Sequence, residues 1–149
     1  AALPKQVRLW VAGSGPDTAH LEAMVVGDPR VTFLGRITDE EKFARLRGAT
    51  VFCAPSLRGE SFGVVLLEAM AAGTPIVASN LPGYSKVARG GQDAVLVEPG
   101  DSAALAEALS SVLFDPDRAA GFIAAGRGRA DDFSMDALAD RYLELFESL

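Results

Sequence analysis

The chain has 149 residues, 49% of them hydrophobic, which suits one domain with a real core and argues against disorder. Its formal net charge of −6 argues against nucleic acid as a partner, since that ligand wants a basic face, but leaves room for a local site that binds a small anion. One cysteine, Cys53, excludes an internal disulfide and fits a reducing compartment; there is no signal peptide and no apolar run long enough to span a bilayer.

Strand-like and helical patterns alternate from the start. Val7 to Ala12 reads as a strand closed by Gly13-Ser14-Gly15-Pro16, followed by a helix from Thr18 to Val26. Val31 to Leu34 is a second strand and Asp39 to Arg47 a second helix. Val51 to Ala54 is a third strand, followed by a loop at Glu60 and a helix that Gly73 and Pro75 stop. Pro75 to Ser79 and Ala94 to Val97 are the fourth and fifth strands. This alternation predicts right-handed crossovers and a parallel sheet. Helices then dominate. Asp101-Ser102 caps one bearing Leu105, Leu109, Val112 and Leu113, and Asp115-Pro116 ends it. Another runs from Asp117 to the neighbourhood of Arg129. The last, capped by Ser134, carries Leu138, Tyr142, Leu145, Phe146 and Leu149 on one apolar stripe. The expected architecture is α/β: a Rossmann-like parallel sheet flanked by helices, in a single domain over 1–149 with C-terminal helices from 101 onward.

The most informative stretch is Glu60-Ser61-Phe62-Gly63-Val64-Val65-Leu66-Leu67-Glu68. Glycines crowd its entry, and the segment passes from loop to helix. A helix start leaves backbone N–H groups unpaired and, with the helix dipole, favours an anion. Here the amides would come from Ser61, Phe62 and Gly63, and Gly63 has no Cβ to hold a ligand off. Acids on either side could accept from hydroxyls flanking that anion. A diphosphate set between two sugars, as in a nucleotide-sugar, has that layout.

This stretch resembles the E-x7-E motif of retaining glycosyltransferases with the GT-B fold, in the GT4 family. The resemblance extends from Val7 to the C-terminus. It is strongest to the phosphatidyl-myo-inositol mannosyltransferases of actinobacteria, through Val51-Phe52-Cys53-Ala54-Pro55-Ser56-Leu57-Arg58-Gly59-Glu60-Ser61-Phe62-Gly63. The resemblance implies the C-terminal, donor-binding half of such an enzyme. Glu60 would then contact hydroxyls of the transferred sugar and stabilise positive charge at the anomeric carbon, the catalytic role. Glu68, two turns into the helix, would bond the ribose diol. An acid and a lysine at Asp39 and Lys42 would read the base. Their chemistry suits guanine: Asp39 accepts from N1–H and the exocyclic amine, and Lys42 donates to O6. Ile37 would stack beside the base or simply pack; Val65 and Leu66 would lie under the ribose or in the core. The donor implied is GDP-mannose. The acceptor would be phosphatidylinositol or another lipid-linked or soluble sugar alcohol, as in phosphatidylinositol mannoside biosynthesis, with no metal or other cofactor. Localisation would be cytoplasmic or at the inner face of the plasma membrane, with membrane attachment through an N-terminal half. The terminal helix would cross back onto that half.

In the family, a first strand-and-helix unit precedes the strand at Val7, sits mid-sheet, and is followed by an Arg/Lys pair for the diphosphate. Here that unit is absent, so the chain reads as a piece of a longer protein, inactive alone. Two strand edges should stand open, to be filled by another chain through complementation or swapping. Other readings stay open. Glu60 and Glu68 suit solvated acids, and Asp39 and Lys42 suit a capped helix start with an i, i+3 pair. Gly13-Ser14-Gly15 is a weak dinucleotide fingerprint, since Thr18 replaces its third glycine. A non-catalytic or NAD-dependent redox module is the alternative function. A scaffold fragment without ligand affinity is the blandest reading. His20 and Arg58 read as surface residues, Cys53 as a buried strand residue, and Arg118, Arg127 and Arg129 as a solvated helix face.

Overall fold

The computed structural model describes residues 3–147. Leu149, placed by the sequence on the stripe of the last helix, lies outside them. Strands β1 (Leu9–Ala12) and β2 (Val31–Gly35) pair in parallel, with Leu9 opposite Val31 and a register shift between Val11 and Ala12. Strands β3 (Phe52–Ala54), β4 (Ile76–Ser79) and β5 (Val95–Val97) form a second parallel sheet in that order. The helices are α1 (Thr18–Met24), α2 (Asp39–Gly48), α3 (Val64–Ala71), α4 (Tyr84–Val87), α5 (Ser102–Leu113), α6 (Pro116–Asp131) and α7 (Met135–Glu147). The five strands therefore fall into two sheets, because β1 and β3 share no ladder among the described residues. Each of these two strands keeps one unpaired edge there.

Strand alternation explains why the second sheet is covered on both faces. Successive side chains point to opposite sides. Phe52, Ala54, Ile76, Ala78 and Leu96 pack with Leu46 of α2, Leu66, Ala69 and Met70 of α3, and Tyr84 and Val87 of α4. Val77, Val95 and Val97 pack the other way, on Ala108 and Val112 of α5 and Phe122 of α6. All four β4 residues are buried, as expected for the middle of a sheet covered on both faces.

Helix ends follow local chemistry. Thr38, not Asp39, caps α2 by accepting from the Glu41 amide at 3.2 Å, so Asp39 is a first-turn acid. The Asp101 carboxylate caps α5 by accepting from Ala103 and Ala104. Asp115, read from the sequence only as a helix ending, is also the N-cap of α6, with Pro116 in the first turn, where its missing N–H costs nothing. The buried Thr74 hydroxyl donates to the Leu46 carbonyl at 2.6 Å, satisfying the end of α2 from the α3–β4 turn. Gly126 lets α6 lie against α3: a Cβ there would stand 3.3 Å from Met70 Cγ.

The α7 stripe is largely exposed. Leu138, Tyr142, Leu145 and Phe146 are 42%, 55%, 55% and 68% accessible. The expectation of a solvated basic face holds for Arg118 and Arg127, which are exposed, and is corrected at Arg129. Arg129 is tied down, donating to the Val87 and Lys86 carbonyls at 2.8 and 2.9 Å and lying 4.6 Å over the Phe133 ring, and Arg127 lies over Gly73. Arg129 thus ties α6 to α4.

The open edges of β1 and β3, beside the exposed apolar residues Leu9 and Trp10, predict association of the 149-residue chain. Its mass by analytical ultracentrifugation should rise with concentration. A monodisperse, stably folded monomer up to high concentration would contradict this.

Candidate functional site

The loop after β3 carries Ser56 to Gly63, at the C-terminal end of the strand, where open α/β sheets bind their ligands. It enters α3 through Gly63, whose φ of +93° is left-handed, the conformation a glycine adopts without penalty. No side chain caps α3. Of its first-turn amides, that of Leu66 donates to the Gly63 carbonyl at 2.9 Å, so those of Val64 and Val65 are the ones left to whatever approaches the helix start.

Two contacts seat this loop. The backbone of Glu60 and Ser61 passes so close to Gly83 that a Cβ there would fall 2.7 Å from the Glu60 carbonyl carbon and 2.9 Å from that of Ser61. The Tyr84 ring lies under Gly63, where a Cβ would be 2.8 Å from Tyr84 Cδ1. Tyr84 is 1% accessible. Its hydroxyl is 3.0 Å from Ser56 Oγ, which donates to Glu60 Oε1 at 3.3 Å. Burial first, and then the nearby Glu60 carboxylate, push the Tyr84 phenol up from its ordinary value, while the Ser56 hydrogen bond pulls it down. Phe62 is partly exposed and meets Phe133 edge-on at 5.6 Å. Phe133 in turn lies under Arg129.

Glu68 is the fifth residue of α3, one turn in rather than two. Lys42 Nζ reaches across from α2 to Glu68 Oε1 at 2.7 Å and to Asp39 Oδ1 at 3.0 Å. The Glu68 bond, then the Asp39 bond, holds the Lys42 ammonium above its ordinary pKa. The lysine is thus a bridge between α2 and α3, and Asp39, Lys42 and Glu68 form one connected group. Ile37 is half-buried at the entrance to α2.

Of the two places the sequence left open for Leu66, under the ribose or in the core, the structure gives the core. Its side chain is 0% accessible. Val65 is half-buried against that core, and Val64 is the exposed member of the first turn. His20 and Arg58 are exposed. Cys53, expected to be buried, is half-buried in β3, and that burial pushes its thiol up to about 11. Among the described residues, no group of three or more His, Cys, Asp or Glu is placed to hold a metal ion, and no helix is long and apolar enough to cross a membrane.

Sequence reasoning missed Ser56, Gly83 and Tyr84. Leu81-Pro82-Gly83 carries the composition of a turn, but its contact with position 60 joins segments more than twenty residues apart and leaves no periodic signal.

Gly63→Ala should lower unfolding stability by about 1–2 kcal/mol through its left-handed backbone alone, and more through the Tyr84 contact. Gly83→Ala has an ordinary φ of −68°, so its cost is entirely steric and falls on the Glu60 peptide. Urea titration of both variants checks this; wild-type midpoints would contradict the seating.

A family model described as "Glycosyl transferases group 1" matches residues 1–115. A phosphatidyl-myo-inositol mannosyltransferase of Mycobacterium leprae is 40% identical over 144 residues, covering 96% of this chain and 38% of that protein. Among solved structures, Anabaena Alr3699/HepE in complex with UDP-glucose superposes with a TM-score of 0.84 at 25% identity, over 98% of this chain and 42% of that one. A sucrose-phosphate synthase from Thermosynechococcus elongatus gives 0.80 at 34% identity, over 95% of this chain and 39% of that one. The chain thus spans about two fifths of the length of the proteins it matches.

Proposed function

The chain belongs to the glycosyl transferases group 1 family, whose solved neighbours are GT-B glycosyltransferases, and from that premise we propose that it is the donor-binding half of a retaining, metal-independent enzyme using GDP-mannose. The observation that carries this is the placement of Glu60 and Glu68 on either side of the uncapped start of α3, at the carboxyl end of β3. The diphosphate would sit on the amides of that first turn, stabilised by the helix dipole. Glu60 takes the hexose hydroxyls and faces the positive charge that grows at the anomeric carbon. Glu68 takes the ribose diol.

The base falls to the α2 start. The Asp39 side chain is 89% accessible, so beside its ion pair with Lys42 its carboxylate can accept from a guanine amine while Lys42 turns to O6. Because Lys42 already holds Glu68, ribose and base recognition share one cation. The similarity to mannosyltransferases supports mannose, and phosphatidylinositol or a related alcohol as acceptor. The acceptor surface and membrane attachment would lie in an N-terminal domain. Transfer proceeds by front-face attack of the acceptor hydroxyl, with the departing diphosphate taking its proton. A second donor class, a UDP-sugar, is favoured by the likeness to a protein solved with UDP-glucose.

Calorimetry on the intact protein decides the donor: GDP should bind about tenfold or more tighter than UDP or ADP, the scale of one lost paired contact. Equal binding of all three removes guanine recognition by Asp39 and Lys42. Glu60→Ala should abolish most sugar transfer with GDP affinity nearly kept, whereas Glu68→Ala should weaken GDP as well. Full turnover in both variants removes the assignment.

A further inference from the structure

Glu60 is held from behind by Ser56 of its own loop and, through Ser56, by Tyr84 of α4. An ionised carboxylate only accepts hydrogen bonds. The Ser56 hydroxyl carries one proton, and at 3.3 Å from Glu60 Oε1 that proton is committed to the carboxylate. With the Ser56 proton on Glu60, the phenol donates and Ser56 accepts across the 3.0 Å contact between Ser56 Oγ and Tyr84 Oη. The result is a chain of two hydrogen bonds, Tyr84 to Ser56 to Glu60, with each bond polarising the next.

The far end of the chain is fixed. Tyr84 opens α4, is 1% accessible, and presses its ring on Gly63 while its neighbour Gly83 carries the Glu60 peptide. A phenol buried there needs a partner for its hydroxyl; Ser56 Oγ lies 3.0 Å away, and the Glu60 carboxylate faces the same hydroxyl. Ring and hydroxyl thus have separate tasks. The ring fits the loop backbone, and the hydroxyl reaches the carboxylate through Ser56.

We propose that Ser56 and Tyr84 are positioning residues for Glu60, fixing which way its carboxylate faces as the loop enters α3. The proposal rests on the reading of Glu60 as the group that meets the transferred sugar. Ser56 holds one carboxylate oxygen, leaving the other to the sugar hydroxyls. Without the chain the carboxylate is free to rotate, and the ordering cost then falls on the transition state. Binding of the nucleotide, which Glu68 and Lys42 would read, does not pass through this chain.

The test uses the intact protein with GDP-mannose and a phosphatidylinositol acceptor, and compares Tyr84→Phe, Ser56→Ala, Ser56→Thr and Glu60→Gln. Tyr84→Phe keeps the ring under Gly63 and removes only the hydroxyl. Expected is a kcat lowered about tenfold or more in Tyr84→Phe and Ser56→Ala, the scale of one hydrogen bond to a charged group, with the Kd for GDP within about twofold of wild type. Ser56→Thr, which keeps a hydroxyl, should restore most of the rate. Thermal unfolding separates variants that fail to fold, and if Tyr84→Phe is one, Ser56→Ala and Ser56→Thr decide alone. Loss of rate in Glu60→Gln but in neither Ser56→Ala nor Tyr84→Phe overturns the positioning role. A parallel loss of GDP affinity and rate in folded variants overturns it as well, because that marks a general loosening of the loop. An unimpaired Glu60→Gln overturns the reading of Glu60 itself, and the proposal with it.

Discussion

The arrangement of the site depends on one close approach: the Glu60–Gly63 loop lies directly on Gly83 and Tyr84. At position 83 there is no room for a Cβ against the Glu60 peptide, and at position 63 there is neither room nor a tolerated backbone angle. The two glycines solve different problems. Gly83 supplies space alone, whereas Gly63 also supplies the left-handed turn that aims α3. With the loop seated, the uncapped first turn of α3 and the Glu60 carboxylate are set by the same contact.

The helix that carries this turn is anchored by its opposite face. Leu66, Ala69 and Met70 are buried in the core, with α6 lying close along them past Gly126. The polar positions of α3 are thereby held rigidly relative to β3, which suits a site built on a regular element. Lys42 adds a link from α2, joining Glu68 to Asp39. A partly exposed ion pair of this kind contributes little to stability, about 1 kcal/mol or less. Its consequence is geometric: two acids from different helices share one cation, so a ligand engaging one of them alters the surroundings of the other. On the far side of the loop, Arg129 clamps α4 backbone carbonyls and Phe133, and Phe133 supports Phe62.

What could be read from the residues follows from what is local. All five strands and six of the seven helices have periodicity or caps in their own segments, and each lies within a few residues of where the sequence places it. The exception, α4, is one turn long, too short for an apolar period to show. The E-x7-E spacing exposed the two acids because it is itself a local pattern. Contacts between distant segments were not legible. Nothing in the run Leu81-Pro82-Gly83-Tyr84 says that it supports Glu60. Nothing at Lys42 says that its ammonium bridges two helices. The apolar alternation that predicts a sheet also left open which strands pair, and the five fall into two sheets. Leu66 shows the limit within a motif: its spacing from the acids is right, but its side chain turns into the core.

The most direct measurement is a crystal structure of the protein with a bound nucleotide-sugar. The account predicts the diphosphate against the amides at the start of α3, the hexose hydroxyls on Glu60 and the ribose hydroxyls on Glu68. A donor bound away from α3, or carboxylates of Glu60 and Glu68 that share no cleft, would contradict it.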